Sequence, residues 1–354
     1  MKKVVYTLVG LLVGFGLLYF LFRATSWEEL KESLSRVRWG WLALCQIPIW
    51  LAFFTRILRW RYIVHAVKPV SFRHMFSATQ IGFLANFTLP GRIGELVRAV
   101  VLGRLAGLPV TRGLALVTLD RVTDLFGLLA VMVIALVAFR PTGNIEIPRE
   151  LFGTQEPIMI EAVLIQRSAF GMLGLLVFVI GLLTVLYLNQ EFFLKATRAI
   201  LGLVSAKLAN KVTEHLQHFA EGLHVLGSGA DMVKSISWSF VTWATFIFGT
   251  MCILEAFSID YPWYTPFLLQ AALAVFISVP GAPGFIGQFQ VPLVAGLKMT
   301  IPAISFSDAF AFSIVAYLVN VLPVILTGAF CLYREGLSFV ELEKESVKVK
   351  ESAA

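Results

Sequence analysis

Charge is what this 354-residue sequence has least of. Only 14% of its residues are Asp, Glu, Lys or Arg, while 58% are hydrophobic. A soluble globular chain is about a quarter charged. So little charge cannot screen that much apolar surface from water, so lipid must solvate much of the chain, and an ordinary soluble enzyme is excluded. Cysteine is scarce too. Cys45, Cys252 and Cys331 all fall in apolar runs, spaced for neither a disulfide framework nor a zinc site. There is no glycine-rich nucleotide loop, no G-x-S-x-G and no zinc-protease motif. His215, His218 and Glu221 share one segment, but nothing completes a ligand set, and a solvated helix face accounts for them. No cofactor or metal is expected. The net charge of +7 fits cytoplasmic loops facing anionic lipid better than a nucleic-acid surface.

What is present is apolar length. A bilayer-spanning helix needs about 20 mostly apolar residues. Segments 4–22, 40–63, 113–139, 169–188, 235–258 and 306–332 meet that test. The first follows Met1-Lys2-Lys3 and is longer than a signal-peptide core of roughly 7–15 residues, so it is expected to be a retained span. Two further apolar regions, 74–105 and 265–300, are interrupted by Pro90-Gly91 and Pro280-Gly281. Each half has about 14–17 residues, short for a crossing at 1.5 Å per residue. Proline removes a backbone donor and glycine permits a sharp turn. Broken backbone survives at membrane depth only where protein or a wet cavity satisfies it. Both regions are therefore expected to be re-entrant helical hairpins. The fold expected is an all-α polytopic membrane protein with about six full transmembrane helices plus two oppositely oriented hairpins. Residues 1–334 form one membrane domain and 335–354 a charged cytoplasmic tail. Residues 200–225 place Leu201, Val204, Leu208, Val212, Leu216, Phe219 and Leu223 at helical spacing opposite Lys207, Lys211, Glu214 and Gln217, which predicts an amphipathic cytoplasmic helix.

The distribution of Lys and Arg orients this layout. Lys2 and Lys3, the group Arg56, Arg59, Arg61, Lys68 and Arg73, residues 189–234 and the tail all fall inside; 140–168 falls outside. Both termini are then cytoplasmic and the membrane is a bacterial-type inner membrane. The loop 23–39 fits poorly, since it carries Arg23, Lys31, Arg36 and Arg38 yet should be outside. Three glutamates accompany them, and Trp27 and Trp39 suggest an interfacial helix.

The two hairpins also resemble each other. Thr88-Leu89-Pro90-Gly91 matches Ser278-Val279-Pro280-Gly281, and Ile93-Gly94-Glu95 matches Ile286-Gly287-Gln288 after a three-residue insertion. Gln80 and Gln270 precede their prolines by the same interval. Inverted repeats with broken helices at the midplane are a transporter signature. In the first hairpin Asn86 precedes the break, and Arg92, Glu95 and Arg98 follow at i, i+3, i+6 on one broad helix side. Glu95 can sit between two guanidiniums, and a helix start at the Pro-Gly break adds N–H groups for an anion. Asp120, Arg121 and Asp124 lie two to three turns inside the next span, where charge must pair or line a pathway. Arg92 and Arg98 are their obvious partners, in a structural brace, a transport path or both. The second hairpin has no charge near its break and offers Gly281, Gly284, Gly287, Gln288 and Gln290; Glu255 and Asn320 are weaker candidates.

Residues Asn86 to Arg98, with Leu119-Asp120-Arg121 and Asp124, resemble the lysylphosphatidylglycerol synthase transmembrane-region family, also called flippase-like domain proteins. Members carry N-x-x-L-P-x-R-x-G-E-x-x-R, a later E/D-R-x-x-D and a P-G-G-x-G-x-x-E hairpin. Here the last reads Pro280-Gly281-Ala282-Pro283-Gly284 with Gln288 where an acid is common, which removes a second hairpin carboxylate. The resemblance implies a domain that moves or accommodates a lipid, with Asn86, Pro90, Arg92, Gly94, Glu95, Arg98, Asp120, Arg121 and Asp124 around the substrate. About twenty residues follow the last span, so no aminoacyl transferase is expected. The first expectation is a translocase for an anionic or modified lipid. The rivals are a membrane-embedded lipid transferase using Asp120 or Glu95 as base, and a scaffold recruiting lipid-biosynthetic enzymes. Expected partners are the lipid itself, such enzymes or a second copy of the chain, and no nucleic acid.

Overall fold

The computed structural model describes residues 16, 19–23, 25–89, 93–140, 145–147, 158–203, 205–206, 209–210, 212–213, 216–217, 229–278 and 282–352. Most of the first apolar run, Pro90, Gly91, Arg92, Pro280, Gly281, and the trio His215, His218 and Glu221 lie outside the described residues, as does much of 200–225.

The described chain is α-helical apart from one antiparallel pair of three-residue strands, β1 (Ile145–Ile147) and β2 (Ile158–Ile160). Its helices are α1 (Trp27–Ser35), α2 (Trp39–His65), α3 (Phe72–Thr88), α4 (Gly94–Ala106), α5 (Val110–Ala138), α6 (Ala162–Leu188), α7 (Gln190–Gly202), α8 (Gly229–Ala256), α9 (Thr265–Ser278), α10 (Gln290–Thr300), α11 (Phe306–Arg334) and α12 (Phe339–Ser352). Among the described residues α2, α5, α8 and α11 are long and apolar enough to cross a membrane. At 27 to 29 residues each, they are roughly 40 Å long. The expected span 169–188 falls within α6. Serines set several starts: Ser26, Ser71 and Ser305 accept the N–H of Glu29, His74 and Asp308, the ordinary N-cap arrangement. Gly107, at φ +61°, ends α4.

Each half of the molecule has the same order: a long helix, two short ones, a long one. α2 and α8 pack antiparallel along their length. The Cys45 thiol faces the Gly249 carbonyl at 3.4 Å, Thr242 donates to Thr55 at 3.0 Å, and Ser235 donates to the Arg59 carbonyl at 3.3 Å. Small and hydroxyl residues at a close helix interface are what lipid-solvated helices use in place of a hydrophobic drive. α5 runs parallel to α8, with Gly127 against Ser239 and Trp243. α11 begins where α8 ends, with the rings of Phe257 and Phe312 at 5.8 Å, so α11 opposes both α8 and α5. The two halves therefore have opposite polarity.

The short helices pair as antiparallel hairpins. On α3 and α4, Gly82 meets the backbone of Gly94 and the Cβ of Arg98, and Asn86 Oδ1 accepts the Gly94 N–H at 2.8 Å. On α9 and α10, Leu269 covers Gly296 and Gln288 donates to the Phe276 carbonyl at 3.3 Å. α3 starts near the C-terminal end of α2 and α9 near that of α8, so the hairpins enter from opposite ends of the bundle. Their tips meet. Phe87 and Phe285 stand edge to face at 5.2 Å, and Tyr317 donates to the Gly284 carbonyl at 2.8 Å. The second tip turns through Gly284, Phe285 and Gly287, all at positive φ. For Phe285 this is an unfavourable backbone, held by its surroundings.

The core follows this division. One buried cluster surrounds the first hairpin, including Met75, Ile81, Val97, Val100 and Leu119. The other surrounds the second, including Leu269, Val291, Leu293, Val294 and Phe310. Each late long helix leans on the other half's hairpin. Gly328 of α11 touches Leu84 and Gln80 of α3, and Phe139 just beyond α5 meets Tyr264 just before α9.

The bundle ends are finished by polar contacts. α1 lies against the start of α11, with Ser33 donating to Asp308 at 2.7 Å. At the opposite end Glu335 accepts from Ser77 at 2.8 Å, Arg334 at 2.9 Å and Arg73 at 3.3 Å. Burial pushes this carboxyl up, but those hydrogen bonds outweigh it and hold it below the usual carboxylate range. The tail region contains α12, which docks on α4 through buried Leu342 and the Arg104–Glu345 pair.

A Cβ at Gly94 would lie 2.1 Å from the Gly82 carbonyl oxygen and 2.4 Å from Asn86 Cγ. Gly94→Ala is expected to destabilise the protein by about 1–3 kcal/mol, the usual range for overpacking. A thermal melt of the purified variant in detergent measures this, and an unchanged Tm would show that the hairpin has slack.

Candidate functional site

Seven charged side chains from three helices converge beside the hairpin tips. α2 supplies Arg56 and Arg59, α4 supplies Glu95 and Arg98, and α5 supplies Asp120, Arg121 and Asp124. Helical spacing explains the grouping. Glu95 and Arg98 are one turn apart, as are Asp120 and Asp124, so each pair shares a face.

An inner set is sealed in protein. Arg59 and Arg98 are each 2% exposed and Asp120 1%. Asp120 uses both oxygens, accepting from Arg59 Nε at 2.9 Å and Arg98 Nη1 at 2.6 Å. Asp124 accepts from Arg59 Nη1 and from Trp243 Nε1, the latter at 3.1 Å. The Arg98 guanidinium lies 3.5 Å from the Trp60 ring centroid, a desolvated cation–π contact. Charges removed from water in this way persist only when so paired.

An outer set opens onto a cavity. Arg121 donates to Glu95 at 2.6 Å, and both are partly exposed. They line a space of about 250 Å³ with Arg56, Asn86, Phe87, Gln270, Phe285 and Asn320. A second, more apolar chamber of about 480 Å³ adjoins it, sharing Arg56, Arg121, Phe246, Thr250, Gln270 and Asn320. Among the described residues of this cluster, four guanidiniums face three carboxylates, leaving one positive charge.

The sequence-derived residues divide between these environments. Asn86 lines the cavity while tethering Gly94 across the break, and Gly94 is a packing position. Glu95 and Arg121 face the cavity and each other. Arg98 and Asp120 form the inner brace, and Asp124 joins it through Arg59 while also lining the second chamber. In the second hairpin, Gly284 and Gly287 shape the tip, where the Gly287 N–H donates to Gln290 at 2.8 Å. Gln288 is buried at 8% exposure. None of these three lines either cavity, whereas their neighbour Phe285 does. Glu255 stands at the bundle end beside Arg38 at 3.4 Å, away from the cavity.

Two residues were misplaced by sequence reading. Arg56 and Arg59 read as the cytoplasmic end of a span, because the apolar run stops near them. In fact α2 continues to His65, and both turn inward among carboxylates. The available signal was electrostatic: two carboxylates on one face of a membrane helix require more than Arg98 to neutralise them. Among the described residues no group of three or more His, Cys, Asp or Glu is arranged to hold a metal.

Removing the charge of Asp120 strands Arg59 and Arg98. Asp120→Asn is expected to cost about 3–5 kcal/mol, the penalty for breaking a buried ion pair. Glu95→Gln, in a partly exposed pair, is expected to cost about 1 kcal/mol or less. Chemical or thermal unfolding in detergent measures both, and equal costs would contradict the division into inner and outer sets.

Comparison with known families agrees with the architecture. No curated protein matches the chain. The family model described as the lysylphosphatidylglycerol synthase TM region matches residues 7–328, which takes in both hairpins, three of the long helices, most of α11 and every charge of the cluster. With that match across nearly its whole length, the chain belongs to the lysylphosphatidylglycerol synthase TM-region family, a multi-pass membrane protein of a group linked to lipid modification or translocation.

Proposed function

We propose that the protein is a lipid translocase of the inner membrane, in which the two hairpins are re-entrant gates of an inverted repeat. The observation that carries this reading is the charged cavity where the hairpin tips meet. Arg121 and Asn320, near the midpoints of α5 and α11, line it. A soluble-enzyme cleft would not sit there, and polar groups at that depth mark pathways. The short helices support the gating role, since α4 and α10, at 13 and 11 residues, reach only about 17–20 Å at 1.5 Å per residue.

Orientation follows from charge. Arg61, Lys68, Arg73, Arg104, Arg112 and Arg334 gather at one end of the bundle, while at the other Glu255 and Asp308 balance Arg38 and Arg36. The positive-inside rule makes the first end cytoplasmic. The lipid head group would cross through the cavity between Glu95, Arg121 and Asn86, with the inner Asp120 network acting as the rigid wall. Catalysis through Asp120 is disfavoured, because the residue is sealed in protein with both oxygens held by arginines.

The test is a dithionite-quench assay on liposomes containing the purified protein and fluorescent phosphatidylglycerol or an aminoacylated analogue. Wild type is expected to expose the protected inner-leaflet signal, and Arg121→Gln to slow that loss roughly tenfold or more, as loss of charge-assisted hydrogen bonds predicts. A folded wild type that moves none of several lipid classes would hand the site to a lipid-modifying or scaffolding role.

A further inference from the structure

Among the described residues of the cluster, Arg56 is the cation that no carboxylate holds. Arg59, Arg98 and Arg121 each donate to an acid at close range. Arg56 makes no hydrogen bond or ion pair among the described residues. Its guanidinium lies between two rings, 4.8 Å from the Phe83 centroid and 4.7 Å from that of Phe246. Contacts to the faces leave the in-plane N–H edge unoccupied. Arg56 lines both cavities. A guanidinium held against aromatic faces, unpaired among the described residues and lining a polar space, suits an oxyanion.

The surroundings narrow the ligand. Gln270 donates to Thr250 at 2.7 Å and Asn320 to the Ala316 carbonyl at 2.8 Å. Each thereby leaves its amide oxygen as an acceptor beside Arg56, suited to hydroxyls on a head group. On the other side the 480 Å³ chamber is walled by Leu125, Leu128, Leu273, Ala274 and Leu293. The two adjoining cavities, which share Arg56, Gln270 and Asn320, together offer a cation, hydrogen-bond acceptors and an apolar wall. Among the described residues, the cluster's one excess positive charge matches a monoanion.

We propose that Arg56 anchors the phosphodiester of a monoanionic, hydroxyl-bearing lipid and that the adjoining chamber takes one of its hydrocarbon chains into the protein, between α5, α8, α9 and α10. This rests on the reading of the cavity as a lipid site, but it concerns binding and not movement. It also assigns the chain a place inside the protein, where a translocase could equally have left it in the bilayer.

The experiment is lipid binding to the full chain in detergent by native mass spectrometry. Probes are phosphatidylglycerol, diacylglycerol with the same chains, a fatty acid, and chain-free glycerophosphoglycerol. Phosphatidylglycerol is expected to bind best, roughly tenfold or more weaker in Arg56→Gln, with part of the loss restored in Arg56→Lys. Ala274→Phe is expected to weaken phosphatidylglycerol but not glycerophosphoglycerol. A second readout needs no Arg56 variant, because Trp243 lines the chamber. Phosphatidylglycerol brominated along its chain is expected to quench the fluorescence that Trp243→Phe removes.

Several results would overturn the proposal: wild-type affinity in folded Arg56→Gln, equal binding of diacylglycerol or fatty acid, equal binding of the chain-free head, or no quenching of Trp243. Liposome assays separate the two readings. Binding that depends on Arg56 in a protein that moves no lipid upholds the site and ends the translocase reading. Undiminished transport by Arg56→Gln does the reverse.

Discussion

Asp120 is the pivot of the molecule. Its carboxylate lies between Arg59 of α2 and Arg98 of α4 while belonging to α5, so one buried anion ties a long helix of the first half to the first hairpin and to the span that follows. In a medium without water, separating any of these charges leaves an unpaired ion, which is far costlier than separating apolar surfaces that lipid can cover equally well. The neighbouring contacts are arranged around it. Trp60 lies under Arg98, Trp243 donates to Asp124, and Ser239 and Gly127 let α8 approach α5 closely. The adjacent cavity keeps its shape because its wall is electrostatically locked.

Family membership places this arrangement among membrane proteins linked to lipid modification or translocation. The structure adds a division of labour among residues that a motif treats as equal. In the stretch from Asn86 to Arg98, Asn86 and Gly94 close the hairpin, Glu95 faces the cavity and Arg98 belongs to the brace. A string of matched letters thus mixes scaffold and site.

Much of the fold was legible because apolar length and Pro-Gly interruptions are direct physical signals. The expected spans 40–63, 113–139, 235–258 and 306–332 correspond to α2, α5, α8 and α11, with ends shifted by a few residues. The two interrupted regions appear as the short pairs α3–α4 and α9–α10. The charge pairing was less legible, because sequence orders residues along one chain and says little about which helices touch. Arg56 and Arg59 looked like interfacial anchors since composition marks where an apolar run thins, not where a helix ends. Likewise α12 read as a charged tail, since Leu342 is one apolar residue among many charges and its buried position depends on α4.

The meeting of Phe87 and Phe285 links the two hairpins mechanically. Each ring rests on the other, so neither tip can withdraw without removing a support from its counterpart. In the translocase proposed above, opening at one tip would then change the barrier at the other, so that the two would take turns and pass one amphiphile at a time without surrendering the membrane's ion gradients.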